Sequence, residues 1–217
     1  MSPPEHDVFA ALRLRMVDLQ LRSRGIRDAR VLAAMARVPR QEFTAERYRD
    51  QAYEDYPLPI GEEQTISQPY IVALMLELLE VTPDDYVLEV GTGSGYATAL
   101  LAELAKDVVS LERHASLAER ARELLVRLGY KNITVVVGDG SRGFEPSSPY
   151  NAILVSAAAG EVPASLLGQL AEGGRMVIPV GPSEGQQLQV IRREDGRIRT
   201  TLREPVRFVP LILGGSS

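Results

Sequence analysis

The sequence predicts an α/β protein with a doubly wound, mostly parallel sheet, helices at the N-terminus and a β-hairpin near the C-terminus. From residue 86 onward, short apolar stretches typical of buried strands alternate with amphipathic stretches of helical period. A glycine-rich turn over residues 91–95 joins the first of these strands to the helix after it. Two later strand-like stretches flank Asp195-Gly196, a dipeptide that favours a two-residue hairpin turn.

The same patterns place the individual elements. The predicted strands cover residues 86–90, 108–112, 133–137, 152–155, 175–180, 188–193 and 198–202. The predicted helices cover residues 7–24, 28–39, 69–78, 96–104, 115–128 and 163–170. Gly173-Gly174 is expected to close the last helix. Residues 50–68, rich in Tyr, Pro and polar side chains, predict one long irregular loop, and long loops of compact domains are usually functional.

Composition excludes several classes of protein. The chain has 217 residues, 45% hydrophobic and 24% charged, which is ordinary for a globular protein, and its net charge of -5 argues against a general nucleic-acid binder. There is no cysteine and there are two histidines, so thiolate chemistry and a multi-histidine metal centre are excluded. Residues 1–7 lack an apolar signal segment, and no apolar run reaches about 20 residues, so we expect a cytoplasmic protein without a membrane partner. No zipper pattern is visible, which favours a monomer.

A ligand is expected at the glycine-rich turn. A turn without side chains lets a ligand approach the backbone, and the following helix N-terminus offers free N–H groups. The spacing is Gly91-x-Gly93-x-Gly95, whereas a dinucleotide-binding turn would carry its third glycine at the position of Tyr96. This spacing disfavours a nicotinamide dehydrogenase.

Three acidic residues stand at the ends of three successive predicted strands. Glu89 precedes the turn, where a carboxylate would repel a phosphate but suit the ammonium and sulfonium groups of a cationic amino-acid ligand. Glu112 is placed to accept hydrogen bonds from two ribose hydroxyls. Asp139 is placed to accept from an adenine amino group, with Gly138 and Gly140 leaving room for the ring. Together they indicate an S-adenosylmethionine site.

Several motifs extend this interpretation to one family. These motifs are Pro57-Leu58-Pro59-Ile60-Gly61, Gln64-Thr65-Ile66-Ser67, Pro69-Tyr70, residues 87–96, Gly138-Asp139-Gly140, residues 177–181 and residues 207–211. In them the chain resembles, from about residue 27 onward, the protein-L-isoaspartate (D-aspartate) O-methyltransferases, which are class I methyltransferases. The Gln-Thr-Ile-Ser segment is the most specific of these motifs, since generic methyltransferases lack it.

The resemblance implies transfer of a methyl group from S-adenosyl-L-methionine to the free α-carboxylate of L-isoaspartyl residues in damaged proteins or peptides, leaving S-adenosyl-L-homocysteine. No metal is implied. The methyl ester then closes to a succinimide without the enzyme, and part of it reopens as normal aspartate. The whole chain, residues 1–217, would form one methyltransferase domain, with a helical and substrate-loop region at 1–80, a cofactor-binding core at 81–185 and C-terminal strands at 186–217.

The resemblance also implies roles for residues. Ser67 is the expected catalytic residue. The expected substrate-binding residues are Ile60, Gln64, Thr65, Ile66, Val209, Pro210 and Leu211. The expected cofactor-binding residues are Tyr70, Glu89, Gly91, Thr92, Gly93, Ser94, Gly95, Glu112, Arg113, Asp139 and Gly140. The chemistry fits this set, because a carboxylate is already anionic at neutral pH and needs placement rather than a general base.

The sequence departs from the family pattern at three positions. Glu63 stands where the family usually has glycine, Asn151 where it has Asp, and Phe144 where it has Trp. These departures motivate an alternative, a relative that methylates an ordinary aspartate of a dedicated peptide. A non-catalytic adenosylmethionine-binding protein is a further alternative. Two local alternatives also stay open: Ser67 as a helix cap alone, and His114 as a surface residue rather than a neighbour of adenine.

Overall fold

The computed structural model describes residues 5–212 and 214 of the chain. The expectation about an N-terminal targeting segment falls in part on residues 1–4, which lie outside the described residues. The helices are α1 Glu5–Met16, α2 Ala29–Arg37, α3 Pro69–Leu79, α4 Tyr96–Leu104, α5 Ala115–Arg127 and α6 Ala164–Gln169. The strands are β1 Leu58–Gly61, β2 Gln64–Ile66, β3 Tyr86–Val90, β4 Asp107–Glu112, β5 Ile133–Val137, β6 Tyr150–Val155, β7 Leu170–Val180, β8 Gln187–Glu194 and β9 Arg197–Pro205.

Seven of the strands form one sheet in the order β5-β4-β3-β6-β7-β8-β9. The first five strands of that order run parallel, and β8 and β9 are antiparallel neighbours at one edge. The predicted doubly wound, mostly parallel sheet with its C-terminal hairpin is therefore confirmed. The chain leaves β3 first toward β4 and β5 and then returns to β6, so the switch point lies beside β3, where such sheets bind ligands.

Alternate residues of the central strands pack into two apolar layers, one on each face of the sheet. Val87 of β3 points toward the layer that holds α1 to α5, whereas Leu88 points toward the layer that holds α6. Both side chains are buried. This period of two on a doubly covered sheet explains why the central strands are apolar on both faces.

The N-terminal helices follow the prediction with one difference. α1 continues into a π-helical turn, Val17–Leu21, and a 3₁₀ turn, Arg22–Arg24, so residues 5–24 are helical but not α-helical throughout. Gly25 ends the run with a φ of 101°. The Asp28 carboxylate then accepts from the first N–H groups of α2, as the sequence predicts.

The prediction of one irregular loop over residues 50–68 is wrong in part. Residues 58–66 form an antiparallel hairpin, β1 with β2, in which Gly61 pairs with Gln64. Glu62 and Glu63 form its two-residue turn with φ values of 51° and 56°. Turns of this kind normally use Asn or Gly, so the sequence carried no turn signal here.

The prediction that Gly173-Gly174 closes α6 is also wrong. α6 ends at Gln169, and both glycines lie inside the long strand β7. A Cβ on Gly174 would stand 2.8 Å from the Ala171 carbonyl oxygen, so this glycine allows a close backbone approach at an irregularity in the strand. In the described part of the chain, no helix is long and apolar enough to cross a membrane.

Candidate active site

A cavity of about 760 Å³ opens at the carboxyl ends of β3 and β4, next to the switch point of the sheet. That volume suits a small-molecule site. Its wall includes the glycine-rich turn, the ends of β4 and β5, the β1–β2 hairpin and the segment after β9, together with residues of α3, α4 and the end of β6. The predicted site residues in the wall are Gln64, Thr65, Ile66, Ser67, Gly91, Thr92, Gly93, Ser94, Glu112, Arg113, Asp139, Gly140, Val209, Pro210 and Leu211.

The glycine-rich turn has the backbone that its sequence requires. Gly91, Gly93 and Gly95 have φ values of 96°, 54° and 89°, a region that side chains disfavour. Gly91 and Gly93 line the cavity, whereas Gly95 begins α4, and a Cβ there would stand 3.3 Å from Ala121 Cβ on α5. The first two glycines thus bring backbone to the ligand, and the third allows two helices to pack.

Glu89 occupies a different place from the one the sequence suggested. It is fully buried beneath the turn and is absent from the cavity wall. Its Oε2 accepts hydrogen bonds from Thr98 at 2.5 Å and Ser110 at 2.6 Å, and the Ser110 hydroxyl lies 2.5 Å from that of Thr92, which lines the cavity. Burial raises the pKa of the Glu89 carboxyl to about 7, against these hydrogen bonds, which lower it. Glu89 is therefore connected to the cavity wall only indirectly, through the hydroxyl groups of Ser110 and Thr92.

Glu112 ends β4 and is held in one orientation by the backbone. Its Oε2 accepts from the Gly93 N–H at 2.8 Å, and its Oε1 accepts from the His114 N–H at 2.9 Å. Each carboxylate oxygen retains a lone pair, because a carboxylate accepts at about four sites. The carboxylate lines the cavity and can accept two further hydroxyl groups there.

Asp139 follows β5 and begins a short 3₁₀ turn. Its Oδ1 accepts from the backbone N–H and the hydroxyl of Ser141. Partial burial raises the pKa of the Asp139 carboxyl. The bonds from Ser141, a further bond from the Gly214 N–H and the nearby charge of Arg142 outweigh that effect and hold the pKa below its ordinary value. The sequence suggested that Gly140 is a glycine because it leaves space for a ligand. The structure shows a packing reason instead, since a Cβ on Gly140 would stand 2.3 Å from Val90 Cγ1.

Ser67 lies in the cavity wall between β2 and α3. The cap of α3 is Gln68, without a side-chain hydrogen bond, so the alternative of Ser67 as a helix cap alone is wrong. Its main-chain carbonyl accepts from the buried guanidinium of Arg40 at 2.8 Å. This contact fixes the backbone of Ser67 at the cavity wall.

The opposite wall is the segment after β9, which includes Val209, Pro210 and Leu211. The Ala158 N–H donates to the Val209 carbonyl at 2.8 Å, and the Leu211 N–H donates to the Ala158 carbonyl at 2.7 Å. This short parallel bridge ties the segment to the residues that follow β6. The cavity wall therefore includes two segments that are about 140 residues apart in sequence.

Four predicted site residues lie outside the cavity wall: Ile60, Tyr70, Glu89 and Gly95. Tyr70 packs under the guanidinium of Arg24, 3.5 Å from the ring centroid. Ile60 packs against the turn, since its Cδ1 would stand 3.3 Å from a Cβ on Gly93.

Several wall residues were not expected from the sequence. They are Glu62, Val72, Met75, Val90, Tyr96, Ala97, Leu111, Val137, Arg142, Leu154, Ser156, Ala157, Phe208, Ile212 and Gly214. Gly138, Glu63 and His114, which the sequence singled out without assigning them a site role, also line the cavity. His114 is both the cap residue of α5 and part of the wall. Most of the others are apolar and carry no sequence signal that separates a cavity wall from a core.

Two of the three departures from the family pattern lie away from the cavity. Asn151 is at the amino end of β6, where its Oδ1 accepts from the Tyr86 N–H at 2.9 Å. Phe144 carries backbone bonds to Gln169 and Tyr150 and is not in the wall. Glu63 does line the cavity, so it alone bears on the acceptor.

This sheet order, the glycine-rich turn after β3, the acid that ends β4 and the acid that follows β5 define an S-adenosylmethionine-dependent methyltransferase fold. The family model for protein-L-isoaspartate (D-aspartate) O-methyltransferase matches residues 14–215. The chain belongs to that family. It is 57% identical over 211 residues to the protein-L-isoaspartate O-methyltransferase of Koribacter versatilis, an alignment that covers 97% of this chain and 95% of the relative.

Solved structures agree with this assignment. One protein-L-isoaspartate O-methyltransferase superimposes with a TM-score of 0.84 at 32% identity, covering 94% of this chain and 66% of that chain. A family member from Plasmodium falciparum, in complex with S-adenosyl-L-homocysteine, superimposes with a TM-score of 0.80 at 29% identity and covers 92% of this chain and 98% of its own.

Proposed function

We propose that this chain methylates the α-carboxylate of L-isoaspartyl residues in damaged proteins and peptides, with S-adenosylmethionine as the methyl donor. One observation carries the proposal: a single cavity joins the glycine-rich turn to the Ser67 segment and the Val209–Leu211 segment. Donor and acceptor would thus meet in one enclosed space, which is what an in-line methyl transfer requires.

The donor half of the cavity is assigned to the turn and the acids beside it. Gly91 and Gly93 bring main-chain groups to the ligand, Glu112 accepts from the ribose hydroxyls, and Asp139 accepts from the adenine amino group. The orientation of Glu112 by two backbone N–H groups supports its role. When bound, the cofactor supplies the methyl group from a cationic sulfonium.

The acceptor half is assigned to the β1–β2 hairpin and the segment after β9. The Ser67 hydroxyl donates to the acceptor carboxylate, which holds it without the neutralising ion pair that a facing arginine would form. Thr65, Ile66 and Pro210 flank the peptide and exclude water. Because the carboxylate is already ionised, this half requires no general base.

A pair of peptides tests the proposal. Labelled methyl transfer is measured with an isoaspartyl peptide and with its aspartyl twin of identical sequence. We expect turnover of the isoaspartyl peptide and little of the twin. Equal or better use of the twin would favour the second candidate, methylation of a dedicated aspartyl peptide, which the Glu63 carboxylate in the cavity wall motivates.

The role of Ser67 is tested by Ser67→Ala. We expect kcat to fall about tenfold or more, the effect of losing one hydrogen bond to a charged group. Ser165→Ala on the exposed face of α6 is the control. A Ser67→Ala enzyme as fast as the control would remove Ser67 from the reaction.

The assembly and cellular setting of the chain are also proposals. We infer a cytoplasmic monomer without a nucleic-acid or membrane partner, which the net charge of -5 supports against nucleic acid. Light scattering on the purified chain would decide the oligomeric state, and a dimer at micromolar concentration would contradict the proposal.

A further inference from the structure

A buried glutamine holds the end of the acceptor wall. Gln186 lies just before β8 and is 5% exposed. Its Nε2 donates to the Phe208 carbonyl at 3.1 Å, and the Phe208 N–H donates to its Oε1 at 2.6 Å. Its own main-chain carbonyl accepts from the Val206 N–H at 3.0 Å. One residue therefore pairs with the backbone of two residues in the segment that follows β9.

The side-chain amide acts here as a strand would. After β9 ends at Pro205, the chain leaves the sheet, yet Phe208 is only partly exposed and its backbone polar groups need partners. An amide presents one donor and one acceptor side by side, the same pair that a neighbouring peptide group offers. Gln186 thus extends the pairing of the sheet edge by one residue and sets the register of Phe208.

Register at Phe208 determines the position of the next three residues. On its other side the segment is bonded through Val209 and Leu211 to Ala158. Gln186 and Ala158 therefore hold it from two directions, and Phe208, Val209, Pro210 and Leu211 all line the cavity. Gln186 itself is absent from the cavity wall, so it can act on the site only through this segment.

We propose that Gln186 is a positioning residue for the acceptor peptide: its amide clamps Phe208 and thereby places the Val209–Leu211 wall. This inference rests on the proposed function, because it assigns that wall to the acceptor. Loss of the clamp raises the KM for the acceptor and leaves the affinity for S-adenosylhomocysteine within about twofold, since the glycine-rich turn and Glu112 lie on other elements. The bonds to Ala158 still hold the segment between Phe208 and Gly214, whose N–H donates to Asp139.

Two substitutions and a neighbouring control test this role. Gln186→Ala removes both bonds, and Gln186→Glu keeps the volume but sets a carboxylate oxygen against the Phe208 carbonyl. Gln187→Ala, the next residue along the chain and exposed, is the control. We expect both Gln186 variants to raise the acceptor KM about tenfold, equivalent to ~1.4 kcal/mol of binding. kcat at saturating peptide and calorimetric binding of S-adenosylhomocysteine stay within about twofold of the control.

Hydrogen exchange gives a second measurement that does not need turnover. The Phe208 amide should exchange faster in both Gln186 variants than in the Gln187→Ala protein, while amides of the glycine-rich turn keep their rates. If Gln186→Ala does not fold, Gln186→Glu, which fills the same space, carries the test.

The outcomes separate this inference from the proposed function. A wild-type chain without turnover on isoaspartyl peptide overturns the proposed function, whatever the exchange shows. Normal wild-type turnover with an unchanged KM in the Gln186 variants overturns the positioning role alone. A parallel loss of S-adenosylhomocysteine affinity also overturns it, because Gln186 would then support the whole fold rather than the acceptor wall.

Discussion

The guanidinium of Arg40 donates to the Ser67 main-chain carbonyl across 2.8 Å, from a position that is fully buried. It also donates to the Ala52 carbonyl at 2.7 Å and lies over the ring of Tyr96, 4.8 Å from the centroid. Burial lowers the pKa of the Arg40 guanidinium, with Tyr96 and Tyr53 opposing that effect. One side chain thus connects the acceptor segment to the wall residue Tyr96.

Arg40→Lys keeps the charge and removes the fork that reaches two carbonyls. A lysine is a point donor and cannot replace both bonds, so we expect the free energy of unfolding to fall by about 2 kcal/mol. The acceptor KM should rise as the Ser67 backbone loosens. Urea unfolding and peptide kinetics measure the two effects, with exposed Arg37→Lys as the control. An unchanged KM in Arg40→Lys would show that Arg40 does not influence binding of the acceptor.

Glu112→Gln tests the donor half of the site. Both carboxylate oxygens accept from backbone N–H groups, so an amide NH₂ in place of either one sets donor against donor. We expect the dissociation constant for S-adenosylhomocysteine to rise about tenfold or more, corresponding to at least ~1.4 kcal/mol. Calorimetry measures it, with Glu123→Gln on the exposed face of α5 as the control. Equal affinities in the two variants would exclude Glu112 as a ribose partner.

Glu63→Gly should stabilise the hairpin turn. Glu62 and Glu63 both have left-handed backbone, which is strained for side chains and relaxed for glycine. We expect the free energy of unfolding to rise by up to about 1 kcal/mol. Glu62→Gly should gain less, because it also loses the Ser116 hydrogen bond of 2.6 Å. A loss of stability in Glu63→Gly would show that its side chain makes a favourable contact.

The same substitution also changes the charge of the cavity wall. Removing the Glu63 carboxylate should lower the KM for an anionic acceptor, and the difference should shrink at high salt because the side chain is exposed. Steady-state kinetics at two ionic strengths checks this. A KM that rises in Glu63→Gly would instead point to a direct contact between Glu63 and the peptide.

Glu89 should make stability depend on pH. Its native pKa of about 7 lies above its ordinary value of 4.5, so the native protein keeps a proton that the unfolded chain loses. The resulting stabilisation is complete below about pH 4.5 and is lost as the pH rises to about 7. Glu89→Gln removes this titration.

Urea unfolding of both proteins from pH 5 to pH 8 measures the effect. We expect the unfolding free energy of the wild-type protein to fall, relative to that of Glu89→Gln, by up to about 3 kcal/mol from pH 5 to pH 8. Glu103→Gln, on the opposite end of α4 from the cavity, serves as the control. A difference that does not vary with pH would mean that Glu89 does not titrate in this window.

The sequence predicts the sheet well, and most of the predicted site residues lie in one cavity wall, for physical reasons. The strands are buried on both faces and the loop glycines have positive φ, and both requirements leave strong patterns in composition and spacing. Glu112 and Asp139 lie together at the cavity because strand ends meet at one edge of a parallel sheet. Family resemblance, not spacing, supplied the Ser67 segment and the Val209–Leu211 segment.

Other features left no readable pattern. The β1–β2 hairpin turns at Glu62-Glu63, a dipeptide that normally disfavours left-handed backbone. Glu89 has the spacing of a ligand residue, but its side chain points to Thr98 and Ser110, because alternate residues of β3 face opposite sides. The role of Gln186 could not be predicted from the sequence, because its hydrogen-bond partner, Phe208, lies 22 residues away.

The fate of an isoaspartyl peptide decides whether this chain methylates isoaspartyl residues. The purified chain, S-adenosylmethionine and the peptide are incubated together, and the products are separated and identified by mass spectrometry over time. We expect a methyl ester that rises and falls, followed by the succinimide and by a growing share of the normal aspartyl peptide. A peptide that never gains a methyl group, or an aspartyl twin that gains it equally fast, would overturn the proposed function.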